Sequence, residues 1–116
     1  MVTIICVSLH PYQSVCIVAE AAEKGDEIAK GIFETAGHYL GIAISNTITT
    51  IEPERIVICG GVAAAGELLF EPIRRTLKER CFVVPLENIQ IVPGVLGDNA
   101  GIIGNSMWAE HKIAQK

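Results

Sequence analysis

The chain has 116 residues, a formal net charge of −4, 50% hydrophobic residues and only 5% aromatic ones. This length bounds it to one domain with a modest core. With no basic cluster larger than Arg74-Arg75 there is no electrostatic footprint for nucleic acid, and no apolar run approaches bilayer-spanning length.

The apolar content is aliphatic, which suits α/β packing. It also exceeds what one small domain covers, so part of it is expected to be hidden against a partner. Met1 to Leu9 is apolar but lacks a basic flank and a small-residue cleavage site, so it does not read as a signal peptide. Cys6, Cys16, Cys59 and Cys81 show no CxxC spacing and read as small hydrophobes in a reducing compartment. A cytoplasmic protein without membrane contact is the expectation.

The β-branched run from Val2 to Ser8 predicts a strand ended by His10-Pro11. From Tyr12 to Lys24 the pattern is helical, with Val15, Val18, Ala19 and Ala22 at three- and four-residue spacing. Gly25 is placed to stop this helix, and Asp26 to cap the next by accepting a backbone N–H. That second helix is the longest. Ile28, Ile32, Ala36, Leu40, Ile44, Ile48 and Ile51 predict its buried stripe, widened by Phe33, Tyr39 and Ala43. Gly31, Gly37 and Gly41 lower helix propensity and suggest close approach of another element. Pro53 ends it.

Ile56, Val57 and Ile58 then form an unbroken β-branched run, as in a parallel strand covered on both faces. Gly60 and Gly61 follow at its carboxyl end, where open α/β sheets bind ligands. They allow positive φ and close approach to the main chain. A tight strand-to-helix turn is the equally good alternative.

From Gly66 to Arg80 the pattern is amphipathic, with Leu69, Phe70, Ile73 and Leu77 inward and Arg74, Arg75, Lys78 and Arg80 as a solvated charged face. Pro72 lies too far in for a first turn, so the helix is expected to begin later than Gly66 or to kink. A loop from Cys81 to Asn88 leads to a short strand at Ile89–Val92, closed by Pro93-Gly94. The linking helix makes a parallel βαβ unit with a right-handed crossover. Asp98 is placed to cap a last helix with apolar Ala100, Ile103, Met107 and Trp108, whose Gly101–Gly104 spacing points to close helix packing.

No catalytic constellation emerges. The Gly60-Gly61 turn lacks the lysine and hydroxyl of a P-loop and the GxGxxG of a dinucleotide fingerprint. His10, His38 and His111 are scattered, with no partner at metal-ligand spacing. Asp26 and Asp98 are better accounted for as caps than as general bases.

Four ordered blocks carry a family resemblance: Glu20–Ala29, Tyr39–Ala43, Pro53–Val62 and Leu96–Gly104. Together they resemble the C-terminal part of the ROK family, bacterial sugar kinases and sugar-responsive transcriptional repressors, with the likeness running from Glu20 to Ala109. The resemblance implies a partial actin-like (ribonuclease-H-like) ATPase domain of the α/β class, with a short mainly parallel sheet and packed helices. Residues 1–19 would be a divergent strand and helix start, and 20–116 the C-terminal segment of the nucleotide lobe. By the same resemblance, Gly60, Gly61 and Val62 belong to the adenosine-contacting loop of an incomplete ATP site. The magnesium, the catalytic aspartate, the phosphate motifs and the zinc motif of the full-length family have no counterpart here. The chain thus reads as a fragment: the ATP-side segment of a sugar kinase that phosphorylates a hexose or N-acetylhexosamine, inactive alone. The alternatives are a sensing and dimerisation segment of a ROK-type repressor, or a self-associating interaction domain. A homo-oligomer formed through exposed apolar helices or a sheet edge is expected, with sugar bound only alongside a missing N-terminal lobe.

Overall fold

The computed structural model describes residues 1–6 and 12–115. Strand β1 (Val2–Cys6) is followed by helices α1 (Tyr12–Glu23) and α2 (Glu27–Ile51), then strand β2 (Arg55–Cys59). A 3₁₀ turn (Gly61–Ala65) leads into helix α3 (Glu67–Arg80). A second 3₁₀ turn (Leu86–Asn88) precedes strand β3 (Gln90–Pro93), and a third (Gly97–Asn99) leads into helix α4 (Ala100–Ala114). The three strands lie in the order β1-β2-β3 and are all parallel. Register pairs Ile4 with Val57 and Val57 with Val92, while Arg55 donates from Nε to Gln90 Oε1 across the β2–β3 pair at 2.9 Å. The chain is therefore α/β, with β2 as the central strand.

Strand β1 ends at Cys6 among the described residues. The predicted extension through Val7 and Ser8 and the stop at His10-Pro11 lie outside them. Val15, Val18 and Ala19 of α1 pack against the core, and Ala22 is buried. The α1–α2 junction forms as its sequence suggests. Gly25 takes φ 99°, its N–H bonds to Ala22 O, and the Asp26 N–H bonds to Ala21 O, the paired bonds of a Schellman motif. The Asp26 carboxylate then accepts from the Ile28 and Ala29 N–H groups at 2.9 and 3.0 Å, satisfying two orphan donors of α2.

The buried face of α2 differs from the predicted isoleucine stripe. Ile44 and Ile48 are fully buried, but Ile28, Ile32, Ile51 and Tyr39 are exposed, as is Ala43. The buried line instead runs through Ala29, Phe33, Gly37, Gly41, Ile44, Ser45 and Ile48. Its centre is set by α3, which approaches at the two glycines. A Cβ on Gly37 would meet the Pro72 Cβ at 2.6 Å, and one on Gly41 would meet the Thr76 Cβ at 2.6 Å. Gly31, the third glycine, has open space around it. Helix α2 ends with Glu52 in the left-handed region at φ 45°, its N–H bonded to Ile48 O, just before the buried Pro53.

Helix α3 starts at Glu67, directly after Gly66, and runs on through Pro72, so the proline lies beyond the first turn of a continuous helix. The missing N–H of Pro72 is accepted because its ring fills the space that Gly37 leaves. Leu69, Phe70, Ile73 and Leu77 are buried, as the amphipathic pattern predicts. Strand β3 begins one residue later than expected and takes in Pro93, whose missing donor is tolerated on an edge strand.

Coverage of the sheet is unequal. Ile56 and Ile58 are fully buried beneath the helical layer, whereas Val57, which points to the other face, is only half-buried. The shortest principal extent is 17 Å, one helix layer on one sheet, so among the described residues β2 is not enclosed on both sides as its β-branched run suggests.

Helix α4 packs as no amphipathic pattern would suggest. Every residue from Gly101 to Gln115 is exposed, and no described atom lies within 4 Å of a Cβ built on Gly101 or Gly104. The expected close packing at these glycines is absent among the described residues. The cap position of α4 is Asn99, which makes no side-chain cap bond. Asp98 sits one residue earlier, in the 3₁₀ turn, with its side chain outside the described set.

Candidate functional site

The carboxyl ends of β2 and β3 open into a cleft of about 270 Å³. β2 contributes Ile58, Cys59 and the following Gly60. The 3₁₀ turn contributes Ala63 and Ala64, and the β3 end contributes Pro93, Gly94 and Gly97. Gly60 takes φ 99° and ψ 172°, a conformation that L side chains rarely adopt, and this swings the chain out of the sheet into the turn. The turn closes with Ala63 N–H on Gly60 O at 3.0 Å and Gly66 N–H on Ala63 O at 3.2 Å. On the other wall Gly94 donates its N–H to Ile58 O at 2.9 Å and lies so close to β2 that a Cβ there would overlap the Cys59 Sγ. The two walls are thus joined at the cleft floor by a backbone hydrogen bond.

The three residues singled out in the sequence play different parts. Gly60 lines the cleft. Gly61 is the first residue of the 3₁₀ turn and half-buried. Val62 is 3% exposed and belongs to the core cluster, so its side chain anchors the turn from behind. Ala63, Ala64, Gly94 and Gly97 were not anticipated. Their signal in the sequence is small size beside a strand end, which in a sequence is indistinguishable from turn punctuation.

Chemically the lining is nearly bare main chain and small apolar side chains, with the Cys59 thiol as its one titratable group. Among the described residues it carries no lysine or arginine for a phosphate and no carboxylate for a metal or a proton. Among the described residues no group of three His, Cys, Asp or Glu is arranged to hold a metal ion. His38 lies elsewhere on α2, its Nδ1 sharing a hydrogen bond with Thr76 Oγ1 at 3.2 Å, which is a structural role. The Glu34–Arg75–Glu71 cluster between α2 and α3 is exposed. The Glu34 carboxylate, with Glu71 assisting, raises the Arg75 pKa above its ordinary value. Such a lining can pack a flat ring or a ribose against backbone.

Residues 9–112 match the family described as the ROK family. The chain is 34% identical over 87 residues to a glucokinase of Halalkalibacterium halodurans, an alignment covering 75% of this chain and 26% of that protein. It is 28% identical over 85 residues to the DNA-binding transcriptional dual regulator NagC of Escherichia coli K12, covering 73% of this chain and 21% of the regulator. The crystal structure of a ROK family glucokinase from Streptomyces griseus in complex with glucose and AMPPNP superposes with a TM-score of 0.67 at 28% identity, covering 75% of this chain and 28% of that one. The chain therefore spans about a quarter of the length of the relatives it matches, and its fold is a segment of the actin-like sugar-kinase fold. No helix among the described residues is long and apolar enough to cross a membrane.

Proposed function

Because the chain belongs to the ROK family, we propose that it is the adenosine-side segment of a ROK-type sugar kinase, binding the base and ribose of ATP weakly and transferring no phosphate alone. The observation that carries this reading is the cleft at the carboxyl ends of β2 and β3, walled by Gly60, Ala63, Ala64, Gly94 and Gly97. These residues fit an adenosine moiety, which needs close main-chain approach and an apolar floor. They do not fit a triphosphate with magnesium, since the described lining residues include neither cation nor carboxylate. In this reading, phosphate transfer to a hexose or N-acetylhexosamine is carried by groups outside this lining. The free thiols of Cys16, Cys59 and Cys81 suit a cytoplasmic setting.

Titration calorimetry with ATP, ADP and adenosine tests this. We expect three similar, weak affinities, because the phosphates meet no partner. Ala64→Phe, which fills the cleft from an exposed position, should abolish the binding while leaving the fold intact. Absence of adenosine binding by the wild-type chain overturns the reading.

The likeness to NagC supports a second reading, in which the same segment belongs to a ROK-type repressor and serves sensing without catalysis. The coding sequence upstream of Met1 discriminates. A helix-turn-helix there favours the repressor, and a phosphate motif with a catalytic aspartate favours the kinase.

A further inference from the structure

Two cysteines far apart in sequence meet at the carboxyl end of the sheet. The β1–β2 register pairs Cys6 with Cys59, each the last residue of its strand. The β2–β3 register pairs Ile58 with Pro93, so one residue further on Cys59 and Gly94 lie side by side. Cys6, Cys59 and Gly94 therefore form one row across the three parallel strands. Residues paired in register share a face of the sheet, because strand faces alternate with a period of two. For Cys59 this is the face of Val57, since a Cβ built on Gly94 would meet the Cys59 Sγ and, at 3.6 Å, the Val57 Cγ1. Cys16, in α1, and Cys81, after α3, lie outside the sheet.

Neighbouring strands run about 4.8 Å apart, inside the roughly 4.4–6.8 Å that a disulfide allows between Cα atoms. The Cys59 thiol is free, 7% exposed, and rests against Gly94 on the β3 side of its strand. To join Cys6 its sulfur must turn toward β1.

We infer that Cys6 and Cys59 are a reversible redox pair, which a low-molecular-weight disulfide such as oxidised glutathione converts to an intramolecular disulfide. One cysteine loses its proton and attacks a sulfur of the oxidant. The oxidant's S–S bond breaks, and one glutathione leaves as thiolate. The second cysteine, likewise deprotonated, attacks the mixed disulfide, so that the Cys6–Cys59 bond forms and the other glutathione departs. The two leaving thiolates take up the two protons. Two cysteines are oxidised, and one glutathione disulfide is reduced to two thiols. Because a disulfide draws Cβ atoms to about 3.8 Å, closer than the strand spacing, the bond is readily reduced again, as suits a switch and not a staple. Its formation withdraws the Cys59 sulfur from beside Gly94 and reshapes the floor of the cleft. The pairing rests on strand register and on no ligand of that cleft.

The test is incubation of the full chain in glutathione redox buffers, followed by non-reducing tryptic mapping by mass spectrometry, with circular dichroism confirming that each variant is folded. Residues 1–24 should be linked to residues 56–74, and dithiothreitol should release them. Residues 1–24 also carry Cys16, so the link should survive in Cys16→Ser and disappear in Cys6→Ser. In Gly94→Ala the added methyl competes with the Cys59 sulfur for one space. Turning the sulfur toward β1 relieves that overlap, so this variant should raise the equilibrium constant for oxidation about fivefold or more. A chain that stops at glutathione mixed disulfides overturns the inference. So does a link through Cys16 or Cys81, a bond between two copies, or a Gly94→Ala constant equal to that of the wild-type chain.

Discussion

Gly37 of α2 lies directly against Pro72 of α3: a Cβ on Gly37 would stand 2.6 Å from the Pro72 Cβ and 3.0 Å from the Leu69 carbonyl oxygen. Neither neighbour is the flexible end of a side chain, so the helices would have to separate. Overpacking of this kind costs about 1–3 kcal/mol. Gly37→Ala should lower the urea-unfolding free energy by that amount. Gly31→Ala, on the same helix but with nothing within 4 Å of its added Cβ, should raise it by roughly 0.5–1 kcal/mol through helix propensity alone. Equal effects at the two positions would show that propensity and not helix approach governs both.

The start of α2 makes a second case. The Asp26 carboxylate caps two N–H groups, and Asp26 also donates its own N–H to end α1. Asp26→Ala keeps the backbone bond and removes the cap. A loss of about 1 kcal/mol is expected, since the freed Ile28 and Ala29 donors are then satisfied only by water. Asp26→Asn, which retains a side-chain acceptor, should recover most of it. Denaturant unfolding of the three proteins at one pH checks both.

Legibility followed the physics of each element. The central strand, the Schellman stop at Gly25, the Asp26 cap and the inward face of α3 could be read from local pattern, because each depends on residues a few positions apart. The buried face of α2 could not. Hydrophobicity pointed to Ile28, Ile32 and Ile51, whereas close helix contact selects small residues, and Pro72 becomes tolerable within α3 only once it meets Gly37. The cleft was half legible. Gly60 announced itself beside the strand end, but Gly94 and Gly97 join it only through the β2–β3 register. Helix α4 read as a packed helix and is exposed from Gly101 to its end, since an apolar pattern does not say which surface covers it.

Cys81 gives a pH dependence. It follows α3, half-buried against the core, and burial raises its pKa above the usual thiol value, with neighbouring Arg80 pulling the other way. The folded chain therefore holds this proton longer than the unfolded one, whose thiol titrates near about 8.5. The stabilisation is fully present below that unfolded value and is lost as pH rises through the folded one. Urea midpoints measured from about pH 7.5 to about pH 10.5 should fall across the alkaline end. Cys81→Ala, less stable at neutral pH, should show a shallower fall. Parallel pH profiles for the two proteins would assign the alkaline loss to other groups.

The floor of the cleft at the carboxyl ends of β2 and β3 allows a double-mutant test of how its walls are joined. Gly94 hydrogen-bonds to Ile58 O and presses on the Cys59 Sγ, so the methyl of Gly94→Ala would occupy space already taken by sulfur. That variant should lose about 1–3 kcal/mol by overpacking. Cys59→Ala alone removes buried volume and should cost roughly 1 kcal/mol. In the double variant the added methyl takes the space vacated by sulfur, leaving the Cys59 Cβ at 3.4 Å as the nearest protein atom to the new one. The two costs should then fail to add, with a coupling of about 1 kcal/mol or more in favour of the pair, as expected for residues in contact. Additive losses would mean that β3 moves away from β2 to admit the methyl. In that event Gly94→Ala should also open the cleft and weaken the proposed adenosine binding in calorimetry, whereas in the coupled case the double variant should match the wild-type chain in that titration.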